Sequence, residues 1–326
     1  MSRGSLLLLA ALKRAASGLL LLIGATLLIY LTIRSAPGNA IDAICPMGTP
    51  EADKLRLAAE FGLDRDPFTG YLAWLARSFV GDFGDSLVFA PGETVMAVSL
   101  PAYGRTLLLC ICTLLCCLII ALMGAILFGE ATRRQSVVTA PLYVLTAAPS
   151  YVVAVCLMMA LNGLVKVFLD DAGYVTPSWY PIPLYAEDSL MPYVFAAFAL
   201  MAGDGLFMDF FNAVRAELNA LRNAQFIAAI RSKGARIRSH IARNMIVPLI
   251  SGYAARLPIV LGGVVIVEYV FTLDGGGYVL LEAAKERDFP VVVGISVLFT
   301  ATIILVNIIA DVVQALIDPR EVSRGG

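Results

Sequence analysis

Six apolar runs, each about as long as a bilayer is thick, dominate this chain: 15–33, 106–129, 137–164, 190–211, 246–271 and 291–313. A hydrocarbon core of ~30 Å takes about 20 helical residues at 1.5 Å each. Lipid offers no hydrogen bonds to the backbone, so each run must satisfy its own amides, which predicts helices. Only 15% of the residues are charged and 59% are hydrophobic, whereas soluble domains carry about a quarter charged residues. The expectation is an all-α membrane protein with six transmembrane helices. Pro141 and Pro149 fall inside the third run and should kink it.

Lys and Arg in the flanks set the orientation. With the N-terminus in the cytoplasm, the inner side receives Arg3, Lys13, Arg14, Arg133 and Arg134, seven basic residues between Arg215 and Arg243, then Arg320 and Arg324. The outer side receives Asp170, Asp171, Glu187 and Asp188. Both termini are expected in the cytoplasm. The first run reads as an uncleaved span, because it is longer than a signal h-region and ends at Arg34 without a small-residue cleavage site.

The chain divides by this pattern into a first helix with a long outer loop (1–105), a transmembrane core (106–320) carrying a cytoplasmic loop at 212–247, and a short tail (321–326). In the outer loop, Thr49-Pro50-Glu51 predicts a helix start and Gly62 a stop. Leu55, Ala58 and Ala59 share a face there, expected to pack against the spans. Trp179, Tyr180 and Tyr185 fit an interfacial aromatic belt. Five of the six cysteines, Cys110, Cys112, Cys116, Cys117 and Cys156, lie in apolar runs. They read as packing residues, not as a disulfide framework or metal site.

Four charges lie within the fourth and fifth runs: Asp204 and Asp209 in the fourth, Arg256 and Glu268 in the fifth. Asp204 is about 10 Å from the inner end of the fourth, and Arg256 about 15 Å above the start of the fifth. A mid-membrane charge costs at least ~2.5 kcal/mol. The readings are an Asp204–Arg256 pair, two residues lining a water-filled path, or an Asp204 that reaches the inner headgroups. Glu268, near the outer end of the fifth run, is a further pathway or gating candidate.

One segment departs from the lipid pattern. Residues 212–247 hold seven basic residues and one acid, Glu217, with apolar positions at helical spacing. Gly234 divides two helical pieces and Pro248 marks the return to the membrane. The implied shape is helix, Gly turn, short helix, membrane. It suits a groove on a partner protein and equally an anchor on anionic lipid.

This segment resembles the cytoplasmic coupling loop of ATP-binding-cassette importer permeases of the dipeptide/oligopeptide/nickel group. The matching residues are Phe226, Arg231, Ser232, Lys233 and Gly234, then His240, Arg243, Asn244 and Pro248, with Phe226 where the family has Tyr. Further matches follow in order: Ala36-Pro37-Gly38, Gly62-Leu63-Asp64-Arg65 with Tyr71, Gly81-Asp82-Phe83-Gly84-Asp85-Ser86, and Ala148-Pro149-Ser150-Tyr151. Glu268-Tyr269-Val270-Phe271, Gly275-Gly276-Gly277, Arg287-Asp288-Phe289-Pro290, Asn307, Asp311 and Asp318-Pro319-Arg320 complete the set.

The resemblance implies a type I importer permease fold in a bacterial cytoplasmic membrane. It also implies a second, homologous permease, two ATP-binding subunits and an extracytoplasmic solute-binding protein as partners. Phe226, Ala228, Ala229, Arg231, Lys233, Gly234, His240 and Asn244 would then contact an ATPase subunit. The chain itself would bind no cofactor and catalyse nothing; ATP and Mg would be used by the partners. Gly275-Gly276-Gly277 has no following Gly-Lys-Ser/Thr and reads as a tight turn, not a phosphate loop. Peptides are the expected cargo. The competing classes are an ion-gradient transporter, which would need its own ion site and often an internal repeat, and a membrane subunit that transports nothing.

Overall fold

The computed structural model describes residues 3–34, 50–52, 54–55, 66–127, 143, 146–171, 190–223 and 237–317. Among the described residues the main helices are α1 Arg3–Arg34, α2 Pro67–Ser78, α3 Val95–Leu127, α4 Ser150–Asp171, α5 Met191–Ala202, α6 Leu206–Asn223, α7 Ile237–Val270, α8 Gly276–Lys285 and α9 Phe289–Ile317. Three have stretches long and apolar enough to cross a membrane, Val95–Ala125, Gly252–Val270 and Phe289–Ala310. The bent pair α5 and α6 is long and apolar enough only when taken together, and shorter apolar stretches occur at Ala16–Thr32 and Ser150–Leu164.

The chain forms two compact units. The first joins Met1–Leu107 with Asp274–Ile308. Here α2 starts at Asp66, whose carboxylate accepts the N–H groups of Phe68 and Thr69 at 3.1 and 3.3 Å, with Pro67 fixing the first turn. It packs on α1 through Tyr71 and Trp74, which cluster with Val293, Leu27, Ile29, Tyr30 and Phe83. The Tyr71 hydroxyl donates to the Ile23 carbonyl at 2.9 Å and meets Thr26 Oγ1 at 2.9 Å. Gly276 opens α8 where a Cβ would lie 3.1 Å from Tyr103 Cα, and its N–H donates to Thr106 Oγ1 at 2.7 Å. The Gly275-Gly276-Gly277 run is therefore a helix start pressed against α3, not a simple turn.

The second unit joins Leu108–Leu273 with Ile309–Gly326. Its centre is α7, which contacts α4, α5 and α6. Ala254, Leu257, Val260, Leu261, Val264 and Val267 are buried at helical spacing along one face of it. Cys110 and Cys117 are buried on α3, while Cys112, Cys116 and Cys156 are exposed.

The described residues refine three expectations. In the third run Tyr143 and Thr146 are helical, residues 147–149 are not, and α4 starts at Ser150, so Pro149 sits at an interruption just before it; Pro141 lies outside the described residues. The fourth run is not one straight helix but two, α5 and α6, bent by 59°. The fifth run has no separate short helix before it, because α7 is continuous from Ile237 and holds Pro248 in its interior. Proline is tolerated inside helices of membrane proteins where neighbours satisfy the freed carbonyl. In the outer loop, Glu51, Ala52, Lys54 and Leu55 are helical as expected, with Lys54 N–H donating to the Pro50 carbonyl at 3.2 Å, but Leu55 is exposed. Ala58, Ala59, Trp179, Tyr180 and Tyr185 lie outside the described residues.

Candidate functional site

The break in the fourth run is made by Gly203-Asp204-Gly205. Gly203 ends α5 in an extended conformation, its N–H donating to the Ala199 carbonyl. Asp204 and Gly205 then take left-handed dihedrals, with φ of 55° and 70°. Only Gly, and at modest cost Asp or Asn, adopts that region readily. The freed amides are satisfied by the turn before α4. Asp204 N–H donates to the Ala148 carbonyl at 2.9 Å, and Gly205 N–H to the Thr146 carbonyl at 2.6 Å.

The contact is close enough to exclude side chains. A Cβ at Gly203 would overlap the Ser150 backbone, and one at Gly263 on α7 would lie 2.5 Å from Ser150 Oγ and 3.3 Å from Asp204 Oδ2. The start of α4, the break and the middle of α7 thus meet at one point. Ser150 Oγ is buried there without a hydrogen-bond partner. Ala148-Pro149-Ser150, noted above only as a sequence match, is the surface on which the broken helix rests.

Asp204 does not supply the partner of Arg256. Arg256 Nη2 lies 3.0 Å from Asp209 Oδ2, an ion pair between α7 and α6 with side chains 30% and 47% exposed. Treating the fourth run as a single straight helix put Asp204 at the depth of Arg256. The bend changes the direction of the chain, and Asp209 in the first turn of α6 takes that place. An acid in a first turn is also favoured by the helix dipole. Asp204 itself is exposed.

Glu268 is only 1% exposed. It is buried on α7, the helix that also carries Arg256. Of the coupling residues, Phe226, Ala228, Ala229, Arg231, Lys233 and Gly234 lie outside the described residues. His240 and Asn244 fall in the first turns of α7. Because α6 ends at Asn223 and α7 begins at Ile237, residues 224–236 join the two helices that the Asp209–Arg256 pair connects. Among the described residues no group of three His, Cys, Asp or Glu side chains is arranged to hold a metal ion.

The first unit holds a carboxylate that sequence reasoning did not single out. Asp288 is fully buried, and its Oδ2 accepts from Ser86 Oγ at 2.6 Å and from the N–H groups of Leu87, Val88 and Phe89 at 2.9, 3.0 and 3.0 Å. Its Oδ1 accepts from Val291 N–H at 3.4 Å, at the start of α9. Ser86 Oγ in turn accepts from Ala90 N–H at 2.8 Å. Four donors on one oxygen compensate the burial of a charge. The turn they hold is entered through Gly81 and Gly84, both at positive φ. The only advance signal was that both stretches matched motifs of one family.

Residues 118–322 match the family model described as "Binding-protein-dependent transport system inner membrane component". A provisionally named peptide permease protein of Brucella suis biovar 1 is 31% identical over 322 residues, covering 95% of this chain and 97% of that protein. The oligopeptide transport system permease protein AppB of Bacillus subtilis is 27% identical, covering 94% and 97%. The metal-staphylopine import system permease protein CntB of Staphylococcus aureus is 26% identical, covering 90% of each chain.

Proposed function

Because the chain belongs to the binding-protein-dependent transport system inner membrane component family, and is thereby a permease subunit of an ATP-driven importer in a bacterial inner membrane, we propose that its cargo is peptides. Two of the relatives described above carry peptide or oligopeptide in their names and match nearly end to end. In this reading the chain has six spans and cytoplasmic termini. It pairs with a homologous second permease, two ATP-binding subunits and an extracytoplasmic solute-binding protein. It binds no cofactor and catalyses no reaction; ATP and Mg are used by the ATPases.

The basic segment 226–248 carries the coupling. Phe226, Ala228, Ala229, Arg231, Lys233 and Gly234, with His240 and Asn244, form the contact with an ATPase subunit. Closure of the ATPases moves that segment and biases the helices on either side between two states. The observation that supports this is the pair of helices it joins: α6 and α7 are held to each other by Asp209 and Arg256, so a displacement of their connection is passed to both. Asp204 and the Asp209–Arg256 pair lie on the water-lined path, because half-exposed charges in apolar helices belong beside water or another protein.

Co-purification with the ATPase subunits tests the reading. Replacing Ala228–Gly234 by a Gly/Ser linker should abolish ATPase retention and peptide uptake while the chain still inserts. Unchanged retention would overturn the coupling assignment, and uptake of a metal chelate but no peptide would overturn the cargo.

A further inference from the structure

We infer that α2 is immersed in the outer leaflet of the bilayer, with acyl chains covering its apolar outer stripe. On sequence alone this stretch belongs to a long outer loop. The helix has three faces. Tyr71 and Trp74 are buried against α1 and α9. Phe68, Leu72 and Phe79 are 55%, 48% and 66% exposed. With Leu75 they fall within roughly 60° of one another on a helical wheel. Thr69, Ala76 and Arg77 make up a third, exposed face.

Two independent rulers give the depth. On α1, the residues that α2 touches run from Ile23 to Tyr30. They lie inside the apolar stretch Ala16–Thr32 and about 6–16 Å before the end of the helix at Arg34. On α9, Val293 and Val297 touch the same cluster, about 6–12 Å beyond the helix start at Phe289. That start follows the exposed charged tip Lys285, Glu286 and Arg287, which belongs at the headgroups. Both rulers place α2 below the headgroups, within the ~15 Å that one leaflet contributes to the hydrocarbon core.

The hydrogen bonding agrees with this depth. The Tyr71 hydroxyl is satisfied by the Ile23 carbonyl and Thr26, so it needs no water. The outer stripe of α2 is continuous in kind with the lipid-facing residues of α1, among them Leu20, Leu21 and Leu28 at 71%, 63% and 67% exposed. Arg77, on the side of the wheel opposite Phe68, is 59% exposed and paired with Asp82 at 4.0 Å, and points the third face toward the interface. The occupant is therefore lipid, not the solute-binding protein or the second permease.

The test uses the complete importer in lipid nanodiscs with its native cysteines replaced. Nitroxides are placed by Leu72→Cys and Arg77→Cys, and collision with oxygen is compared with collision with a water-soluble nickel chelate. The expected result is several-fold higher oxygen-to-nickel accessibility at 72 than at 77. Equal nickel access at both sites, nickel access at 72 lost only on adding binding protein, or shielding of 72 from both reagents would each overturn the assignment. The unsubstituted protein gives a second readout through an acyl-chain diazirine lipid, with adducts on Phe68, Leu72 or Phe79 expected and adducts confined to α1 and α9 overturning it. Neither readout needs transport, so failure here is distinguishable from failure of the permease reading.

Discussion

Arg256 on α7 and Asp209 on α6 meet at 3.0 Å, between the two helices that residues 224–236 join. Arg256→Ala should leave Asp209 half-exposed and uncompensated in an apolar setting. Uptake is expected to fall while insertion is retained, and the reversed pair (Arg256→Asp with Asp209→Arg) should recover part of it. A double-mutant cycle on uptake should give a coupling of about 0.5–3 kcal/mol. Strict additivity of the two single substitutions would show that the pair has no functional weight.

Asp288→Ala removes the acceptor for one hydroxyl and four amides that remain buried or half-buried. Each stranded donor costs ~1–3 kcal/mol where it cannot reach water, so a large drop in thermal midpoint is expected. Proteolysis in the 81–94 turn should rise in parallel. Asp288→Asn keeps an acceptor oxygen but loses the charge, and should fall between the two.

Gly203→Ala would drive a methyl group into the Ser150 backbone. Overpacking of this kind costs typically ~1–3 kcal/mol, measurable as lower yield and midpoint. Gly24→Ala on α1 is the control, since nothing lies within 4 Å of its added Cβ, and it should be neutral or slightly stabilising.

Ser150→Ala makes the opposite prediction for its neighbour. Ser150 Oγ is buried with no hydrogen-bond partner, so deleting it strands nothing and removes an uncompensated desolvation. The midpoint should hold or rise. A loss comparable to that of Gly203→Ala would mean that the hydroxyl is satisfied in the working protein.

Tyr71→Phe deletes the hydroxyl that joins α2 to the Ile23 carbonyl and Thr26 while leaving the ring packed against Tyr30 and Trp74. A cost of ~1 kcal/mol is expected, seen as a small midpoint shift and faster amide exchange in α2. No change in exchange would mean that ring packing alone holds the helix.

Much of the fold was legible because apolar length is a strong signal. The ends of α9 lie close to those read from composition, since the run is bounded by charges at Arg287 and Asp288 and by Asp318. The break at 203–205 was hidden because apolar residues continue on both sides of it. The Gly-Asp-Gly triplet is a turn signal, but Asp204 was weighed only as a charge at a depth. Pro248 misled in the other direction, because a helix-breaking rule drawn from water overstates its effect in α7. The Asp288 turn could not be read from periodicity, which carries no information about partners 202 residues apart. The coupling residues came from resemblance to a family, not from spacing.

The Ser86–Asp288 bond sets an order of manufacture. The unit built from Met1–Leu107 and Asp274–Ile308 lacks its central acceptor until the ribosome has passed position 288. At ~5–20 residues per second that is roughly 10–40 s after Ser86 has been made. Through that interval the three amides after Ser86 wait without their carboxylate, and a truncation anywhere before 288 leaves the front of the protein unfinished as well as the back.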